Sequence, residues 1–177
     1  MSIRPAQERD VPRMGQIYAP YVEQTTYSFE EIPPDHEIFL RRFREHTDQF
    51  PWLVWEEDGV VRGYAYAGAP WERAAYRWCA EISVYLEPDA HGRGIGRALY
   101  QRLEELLKRQ GYRVVYALVT TENHGSAAFH EAMGYTKRTT FENCGYKFGR
   151  WLGVIWYEKW LNPLTPPLSP PTPWRKL

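Results

Sequence analysis

The sequence predicts an α/β (α+β) fold in a single domain, and three stretches carry that prediction. From Trp78 to Leu86 the chain reads W-C-A-E-I-S-V-Y-L, an alternating run rich in β-branched and aromatic residues that Pro88 brings to an end. Gly92, Gly94 and Gly96 follow, and a helical apolar spacing then runs through Ile95, Leu99, Leu103, Leu106 and Leu107, so the segment reads strand, turn, helix. Upstream, Asp58-Gly59 separates two β-rich runs, Trp52 to Glu57 and Val60 to Ala67, which is the signal of a tight antiparallel hairpin. Downstream, Gly111 is a fitting stop for the helix, and V-V-Y-A-L-V from Val114 to Val119 has the apolar continuity of a buried strand.

The remaining elements follow from local patterns. Ser2 to Arg4 makes a short first strand. Asp10 is placed to cap a helix whose positions Val11, Met14, Ile17, Tyr18, Tyr21 and Val22 share one face. Pro12 falls in its first turn, where a missing N–H costs little, and Pro20 near the far end is expected to kink or stop it. Thr25 to Pro34 has no helical period and ends in paired prolines, a partly extended loop of the kind that lines sites. A second helix runs from Asp35 to near Asp48 and sets Ile38, Phe39, Arg42, Phe43 and His46 on one face. Gly68 to Arg77 is a loop. Past the strand at Val114, a short helix spans about Gly125 to Met133 and Gly134 closes it. A strand from Thr136 to Asn143, a turn at C-G-Y-K-F-G-R and a strand from Leu152 to Trp160 complete the order β, α, α, β, β, β, α, β, α, β, β. Residues 1–161 are the predicted domain; the proline-rich residues 162–177 are expected to form a polyproline-like or disordered tail outside the core.

Composition narrows the function. With 177 residues the chain suits one hydrophobic core. Lys plus Arg and Asp plus Glu are both 22, so no global field recruits nucleic acid or an anionic membrane, and anion binding falls to local basic clusters. Two cysteines, Cys79 and Cys144, are too few for a disulfide framework, and the N-terminus carries no apolar signal. The expectation is a cytoplasmic protein with reduced thiols. No run of apolar residues is long enough for a membrane span.

The glycine turn points to a phosphate ligand. Glycines admit positive φ and let a ligand approach bare N–H groups, which here coincide with the unpaired donors and positive dipole of a helix N-terminus, flanked by His91, Arg93 and Arg97. The glycine spacing misses the dinucleotide fingerprint G-x-G-x-x-G in either register, and no lysine follows to make a Walker loop. Instead, H-G-R-G-I-G-R-A-L resembles the Q/R-x-x-G-x-G/A signature of the GNAT superfamily of N-acetyltransferases. Further stretches are similar to one branch, the phosphinothricin and methionine sulfone or sulfoximine acetyltransferases: F-P-W-L-V from Phe50, G-x-A-Y-A-G from Gly63, W-x-R-x-A-Y from Trp71, E-x-S-V-Y from Glu81, N-x-x-S-x-x-x-H-E-x-x-G-Y from Asn123 and G-Y-K-x-G-x-W from Gly145. Together they reach from about residue 2 to 161. The resemblance implies the GNAT acyl-CoA N-acyltransferase fold, a mixed, mostly antiparallel sheet with splayed central strands flanked by helices. It also implies acetyl-CoA as co-substrate with no metal, a small-molecule amine as acceptor, and a homodimer.

Acetyl transfer to an amine requires a neutral nitrogen, a pinned thioester, donors for the developing oxyanion and a proton for the departing thiolate. A free amino acid is mostly ammonium at neutral pH, and each pKa unit of that deficit costs about 1.4 kcal/mol unless a base removes the proton. Glu81, in the middle of an otherwise apolar or small strand, is the candidate, and the resemblance implies that it is the general base acting through water; alternation alone would equally allow an outward-facing strand glutamate. The resemblance also sets His130 at the branch's site histidine, as an acceptor or relay of a proton, while its neighbours Ala127, Phe129 and Met133 suit a hydrogen-bonded core residue. Backbone groups of Ser83, Val84 and Tyr85 are implied to meet the pantetheine arm, with one amide as oxyanion donor. His91, Gly92, Arg93, Gly94, Ile95 and Gly96 are implied to hold the pyrophosphate. Asn123 and Ser126 match pantetheine-contacting positions and also suit capping of the short helix. Arg73 matches a substrate-binding arginine and Phe29 an aromatic near the acceptor; a surface arginine and a core phenylalanine are the plainer readings. Glu30 stands where some herbicide-inactivating members carry arginine, and Ile82 where a small hydroxyl residue often sits. Other acceptors, namely a protein N-terminus, lysine or polyamine, and a non-catalytic acyl-CoA sensor are the alternatives to an amino-acid acetyltransferase.

Overall fold

In chain order the elements are β1 (Ser2–Pro5), α1 (Val11–Gln24), α2 (His36–Thr47), β2 (Trp52–Glu57), β3 (Val60–Gly68), β4 (Cys79–Leu86), α3 (Ile95–Gln110), β5 (Val114–Thr120), α4 (His124–Ala132), β6 (Thr136–Lys147) and β7 (Arg150–Trp160). The structure is a computed structural model that describes residues 1–166 and 169–177. The strands form one sheet in the order β1-β2-β3-β4-β5-β7-β6, antiparallel throughout except for β4 against β5. Helices cover both faces. On one, Leu99, Leu103 and Leu107 of α3 bury against Ala65, Ala67, Ile82 and Val115. On the other, Met14 and Val22 of α1 and Phe39 and Phe43 of α2 meet Trp52, Val54 and Tyr64. Each large side chain so buried contributes about 1.5–3 kcal/mol, which explains why α1 and α2 form despite Pro20 inside the first.

The feature that positions the site is a fork in this sheet. β4 and β5 pair only where Cys79, Ala80 and Glu81 lie beside Val114, Val115 and Tyr116. Beyond Glu81, β4 stays on β3 as far as Leu86, and β5 stays on β7 as far as Thr120. Each strand follows the twist of its outer neighbour, and the two part.

Several local expectations are corrected. Pro20 neither stops nor ends α1, which continues to Gln24, because the buried row Met14, Ile17, Tyr18 and Val22 straddles it. Asp10 does not cap that helix with its side chain; its carboxylate is taken by Arg4 at 2.7 and 2.8 Å and by the backbone N–H of Gln7 at 2.8 Å. Asp35 does cap α2, accepting from the N–H of Ile38 at 2.8 Å. The turn expected at C-G-Y-K-F-G-R shrinks to Phe148-Gly149, both at positive φ (50° and 76°), and Asn143 (φ 51°) marks an irregularity in a strand that runs on to Lys147. Leu118 of the supposedly buried strand is 40% exposed, since β4 has already left its side. The proline-rich tail lies against the body of the protein: Trp174 packs on the core, and Gln110 donates to the carbonyl of Thr172 at 2.7 Å and accepts that residue's N–H at its own carbonyl at 2.8 Å. Pro167 and Leu168 of the tail lie outside the described residues.

Candidate active site

Three cavities meet at the fork. The largest, about 610 Å³, opens at the N-terminus of α3 and is lined by Leu86, His91, Gly92, Gly94, Ile95, Gly96 and Arg97 on one side and by Asn123, Ser126 and Phe129 on the other. Gly92 (φ 72°) and Gly94 (φ 81°) take the left-handed conformation that a side chain resists. Gly96 does not; it is helical, and its value is a bare surface on the first turn. No side chain caps α3, and its first helical bond is from the N–H of Ala98 to the carbonyl of Gly94, so the preceding amides face the cleft with the helix dipole behind them. Among the basic residues, Arg97 lines the cleft. Arg93 does not; its guanidinium is ion-paired to Glu57 at 2.8 Å. His91 lines the cleft with Nε2 on the hydroxyl of Tyr21 at 3.0 Å, and that hydroxyl donates to the carbonyl of Leu86 at 2.6 Å, so Nε2 carries the proton.

The second cavity is the fork itself, a slot of about 70 Å³ between Ile82, Ser83, Val84 and Tyr85 of β4 and Ala117 to Thr120 of β5. It shares Tyr21, Tyr27, Val84, Asn123 and Ser126 with the cleft, so the two are continuous. On the β5 side Ser83, Val84 and Tyr85 have no ladder partner among the described residues. Thr120, 6% exposed, also lines the slot, and among the described residues its hydroxyl has no partner. His130, buried in α4, also lines the slot. Its Nδ1–H donates to the carbonyl of Ser126 at 2.7 Å, which leaves Nε2 to accept from the hydroxyl of Tyr100 at 3.0 Å. Burial lowers the His130 pKa to about 4, so the ring is neutral at physiological pH. Burial likewise pushes the Tyr100 phenol well above its usual value, and the hydroxyl lies 3.3 Å from the carbonyl of Ile82. Asn123 caps α4, accepting from the N–H of Ser126 at 3.0 Å, and still lines both cavities.

The third cavity, about 240 Å³, lies on the α1–α2 face of the sheet and meets the slot at Tyr85. Trp52, Tyr64 and Tyr66 form its floor, and Tyr18, Glu30, Arg42 and His46 its walls. Glu81 is half-buried on the same face of β4 as Ser83 and Tyr85, since alternate residues of a strand share a face. It stands opposite Gly68, and His46 is so close to that glycine that a Cβ there would fall 3.1 Å from the ring. Burial raises the Glu81 pKa above the ordinary carboxylate value. Among the described residues, its carboxylate has no hydrogen-bond or ion-pair partner, which leaves it available to a ligand or water.

The other two candidates stand farther out. Phe29 sits in the loop after α1 with its ring over Gly145, where a Cβ would come within 2.3 Å. Lys147, buried, holds that loop by donating to the carbonyls of Val22 and Ser28, each at 2.7 Å. Arg73 is exposed on the loop before β4 and lines none of the three cavities. The residues that sequence reasoning overlooked are Tyr100, Thr120 and Trp52. Tyr100 and Trp52 read as packing residues, and only Arg42, a charge on the apolar stripe of α2, hinted at a cavity there.

Comparison with known proteins agrees with this architecture. The family model described as acetyltransferase (GNAT) domain matches residues 3–156. A phosphinothricin N-acetyltransferase of Streptomyces viridochromogenes is 37% identical over 175 residues, covering 97% of this chain and 95% of that protein, so the similarity reaches into the proline-rich tail that the motifs left uncovered. An L-methionine sulfoximine/L-methionine sulfone acetyltransferase of Salmonella typhimurium is 32% identical, covering 92% of this chain and 95% of that one. The crystal structure of a GNAT superfamily phosphinothricin acetyltransferase from Sinorhizobium meliloti in complex with acetyl-CoA superposes with a TM-score of 0.90 at 33% identity, covering 98% of both chains. The chain therefore belongs to the GNAT family of acetyltransferases. It is an N-acetyltransferase that uses acetyl-CoA as donor, and its forked sheet is the GNAT fold. Among the described residues no group of three or more His, Cys, Asp or Glu is placed to hold a metal ion, and no helix is long and apolar enough to cross a membrane.

Proposed function

We propose that the enzyme acetylates the α-amine of a small amino acid or analogue of the methionine sulfone, methionine sulfoximine or phosphinothricin type, by direct attack with no acyl-enzyme. The observation that carries this reading is the fork: it begins next to Glu81 and joins an uncapped helix N-terminus on one face to a walled cavity on the other. The fit to acetyl-CoA rests on the bare first turn of α3 for the pyrophosphate, with His91 to Gly96 and Arg97 around it. It rests also on the unpaired edge of Ser83, Val84 and Tyr85 and the orphaned Thr120 hydroxyl for the pantetheine arm, with Asn123 and Ser126 along the slot. Bound there, acetyl-CoA supplies an electrophilic thioester carbonyl and a thiolate leaving group.

Glu81 takes the proton of the acceptor ammonium through water, and its raised pKa makes it the stronger base for that work. A backbone N–H of the open β4 edge donates to the carbonyl oxygen as charge develops. Tyr100 turns its hydroxyl proton from Nε2 of His130, 3.0 Å away, to the departing sulfur, the proton taken up by Glu81 and its water restores the phenol, and His130 is a positioning residue. Phe29 and Arg73 are assigned to the acceptor by the resemblance, and neither lines the acceptor cavity in this structure. The protein acts in the cytoplasm, where acetyl-CoA and reduced thiols coexist, and as a homodimer; Tyr146, Phe148 and Trp151, each more than half exposed at the β6–β7 hairpin, support a partner surface there. The test is thiol release from acetyl-CoA with a panel of amines that includes methionine sulfone, methionine sulfoximine, phosphinothricin, polyamines and peptide N-termini. Turnover confined to the peptides or polyamines overturns the acceptor assignment, and cofactor binding without release with any amine identifies a sensor.

A further inference from the structure

The cavity under α1 and α2 contains a buried donor that the fold leaves unsatisfied. Trp52 is 4% exposed, its ring stacked on Phe43 at 4.9 Å, and among the described residues its indole N–H has no acceptor although the side chain lines the cavity. Trp55, on the same strand, shows the contrast: its indole N–H donates to Glu57 at 3.0 Å. A buried donor left unpaired is destabilising, a cost that an acceptor brought by a ligand removes.

The charge of the cavity is settled by a pair. Arg42 lines it, but its guanidinium is held in a fork by Glu30, Nη1 to Oε1 at 2.7 Å and Nη2 to Oε2 at 3.1 Å. The hydroxyl of Tyr18 also donates to Glu30, at 2.9 Å. Burial pushes the Glu30 carboxyl up, but these hydrogen bonds outweigh it and hold the pKa below its ordinary value, so Glu30 is ionised at neutral pH and cancels Arg42. An anionic guest would have to displace Glu30 from Arg42 or lie beside it, at a cost that an uncharged guest avoids.

We propose, resting on the amino-acid acceptor reading above, that this cavity is the acceptor's side-chain subsite and that it selects uncharged tails ending in a hydrogen-bond acceptor, met by the Trp52 indole N–H, over anionic tails. Sulfone, sulfoximine and carboxamide groups have this chemistry; phosphinate and carboxylate groups do not. Glu30 and Trp52 are then the specificity determinants, one by neutralising Arg42, the arginine among the described residues that line the cavity, and the other by offering a fixed donor.

The test compares L-methionine sulfone, L-phosphinothricin and L-methionine as acceptors for the wild type, Glu30→Gln and Trp52→Phe. Titration calorimetry of the sulfone into each protein in the presence of coenzyme A gives binding without turnover. The wild type is expected to favour the sulfone over phosphinothricin by about tenfold or more in kcat/KM, the scale of one hydrogen bond or one displaced ion pair. Glu30→Gln frees Arg42 and moves that ratio about tenfold toward phosphinothricin. Trp52→Phe weakens sulfone binding about tenfold and leaves methionine, which has no strong acceptor, within about threefold. Glu30→Gln changes a partly exposed side chain and keeps the proposal falsifiable if Trp52→Phe does not fold. Ratios that neither variant moves overturn the subsite while the amino-acid acceptor reading stands; no transfer to any free amino acid by the wild type overturns both.

Discussion

Replacing Glu81 by Gln removes the proposed base while keeping the size and polarity of the side chain. The acceptor amine titrates above neutral pH, so each unit of pH below its pKa removes a factor of about ten in the reactive form, or about 1.4 kcal/mol. A positioned base contributes about 10²–10⁴ in rate. The variant should therefore lose at least about 100-fold in kcat/KM at pH 7, and the gap to wild type should narrow by up to about tenfold per unit as pH rises and solvent deprotonates the amine. Acetyl-CoA affinity should hold within about twofold, because Glu81 lines neither the cleft nor the slot. Stability supplies an independent sign. The folded protein raises the Glu81 pKa through burial, so this group favours folding while protonated, and that contribution is lost as pH rises from the ordinary carboxylate range through the raised value. Gln carries no charge to bury, and Glu81→Gln should therefore melt above wild type at pH 7, with the difference closing at pH below the ordinary carboxylate range. Steady-state kinetics from pH 6 to 9, direct titration of acetyl-CoA and thermal melts at both ends of the pH range make the test. An unchanged rate, a loss that is the same at every pH, or a fall in cofactor affinity matching the fall in turnover would refute the assignment.

Arg97→Glu should weaken acetyl-CoA binding about tenfold at low salt and more than Arg93→Glu does, since Arg97 faces the cleft and Arg93 is already paired with Glu57; equal effects in a direct binding titration would count against it. His130→Phe should cost about 1–3 kcal/mol, measured by urea unfolding, because it removes the ring's hydrogen bonds to Tyr100 and Ser126 and leaves the Tyr100 hydroxyl only the longer contact to the carbonyl of Ile82. Because the folded protein depresses the His130 pKa from 6.5 to about 4, its stabilising contribution is present above pH 6.5 and fades as pH falls toward 4, so the variant should lose less stability than wild type across that window. Ending the chain at Leu161 should lower the melting temperature by several degrees, as it removes Trp174 from the core and the backbone partners of Gln110 and Gln49; an unchanged melt would show that the tail only rests on the surface.

The order of helices and strands, the helix after the glycine turn and the Asp58-Gly59 hairpin were legible in the sequence because each rests on a local pattern: alternation, a helical apolar period, or a turn dipeptide that admits positive φ. Where sequence reading failed, a distant partner decided the outcome. Asp10 left its cap for Arg4, Pro20 was overridden by the buried row around it, and Trp174 drew a proline-rich tail onto the core. The candidate site divides in the same way. Glu81 and the glycine turn stood out as a charge in an apolar strand and a run of residues without side chains. The fork between β4 and β5, the ion pair that neutralises Arg42, and the unsatisfied Trp52 and Thr120 are products of assembly. Each depends on which atoms of remote segments come within bonding distance. That is set by strand order and layer packing, which the spacing of residues along a chain does not encode locally.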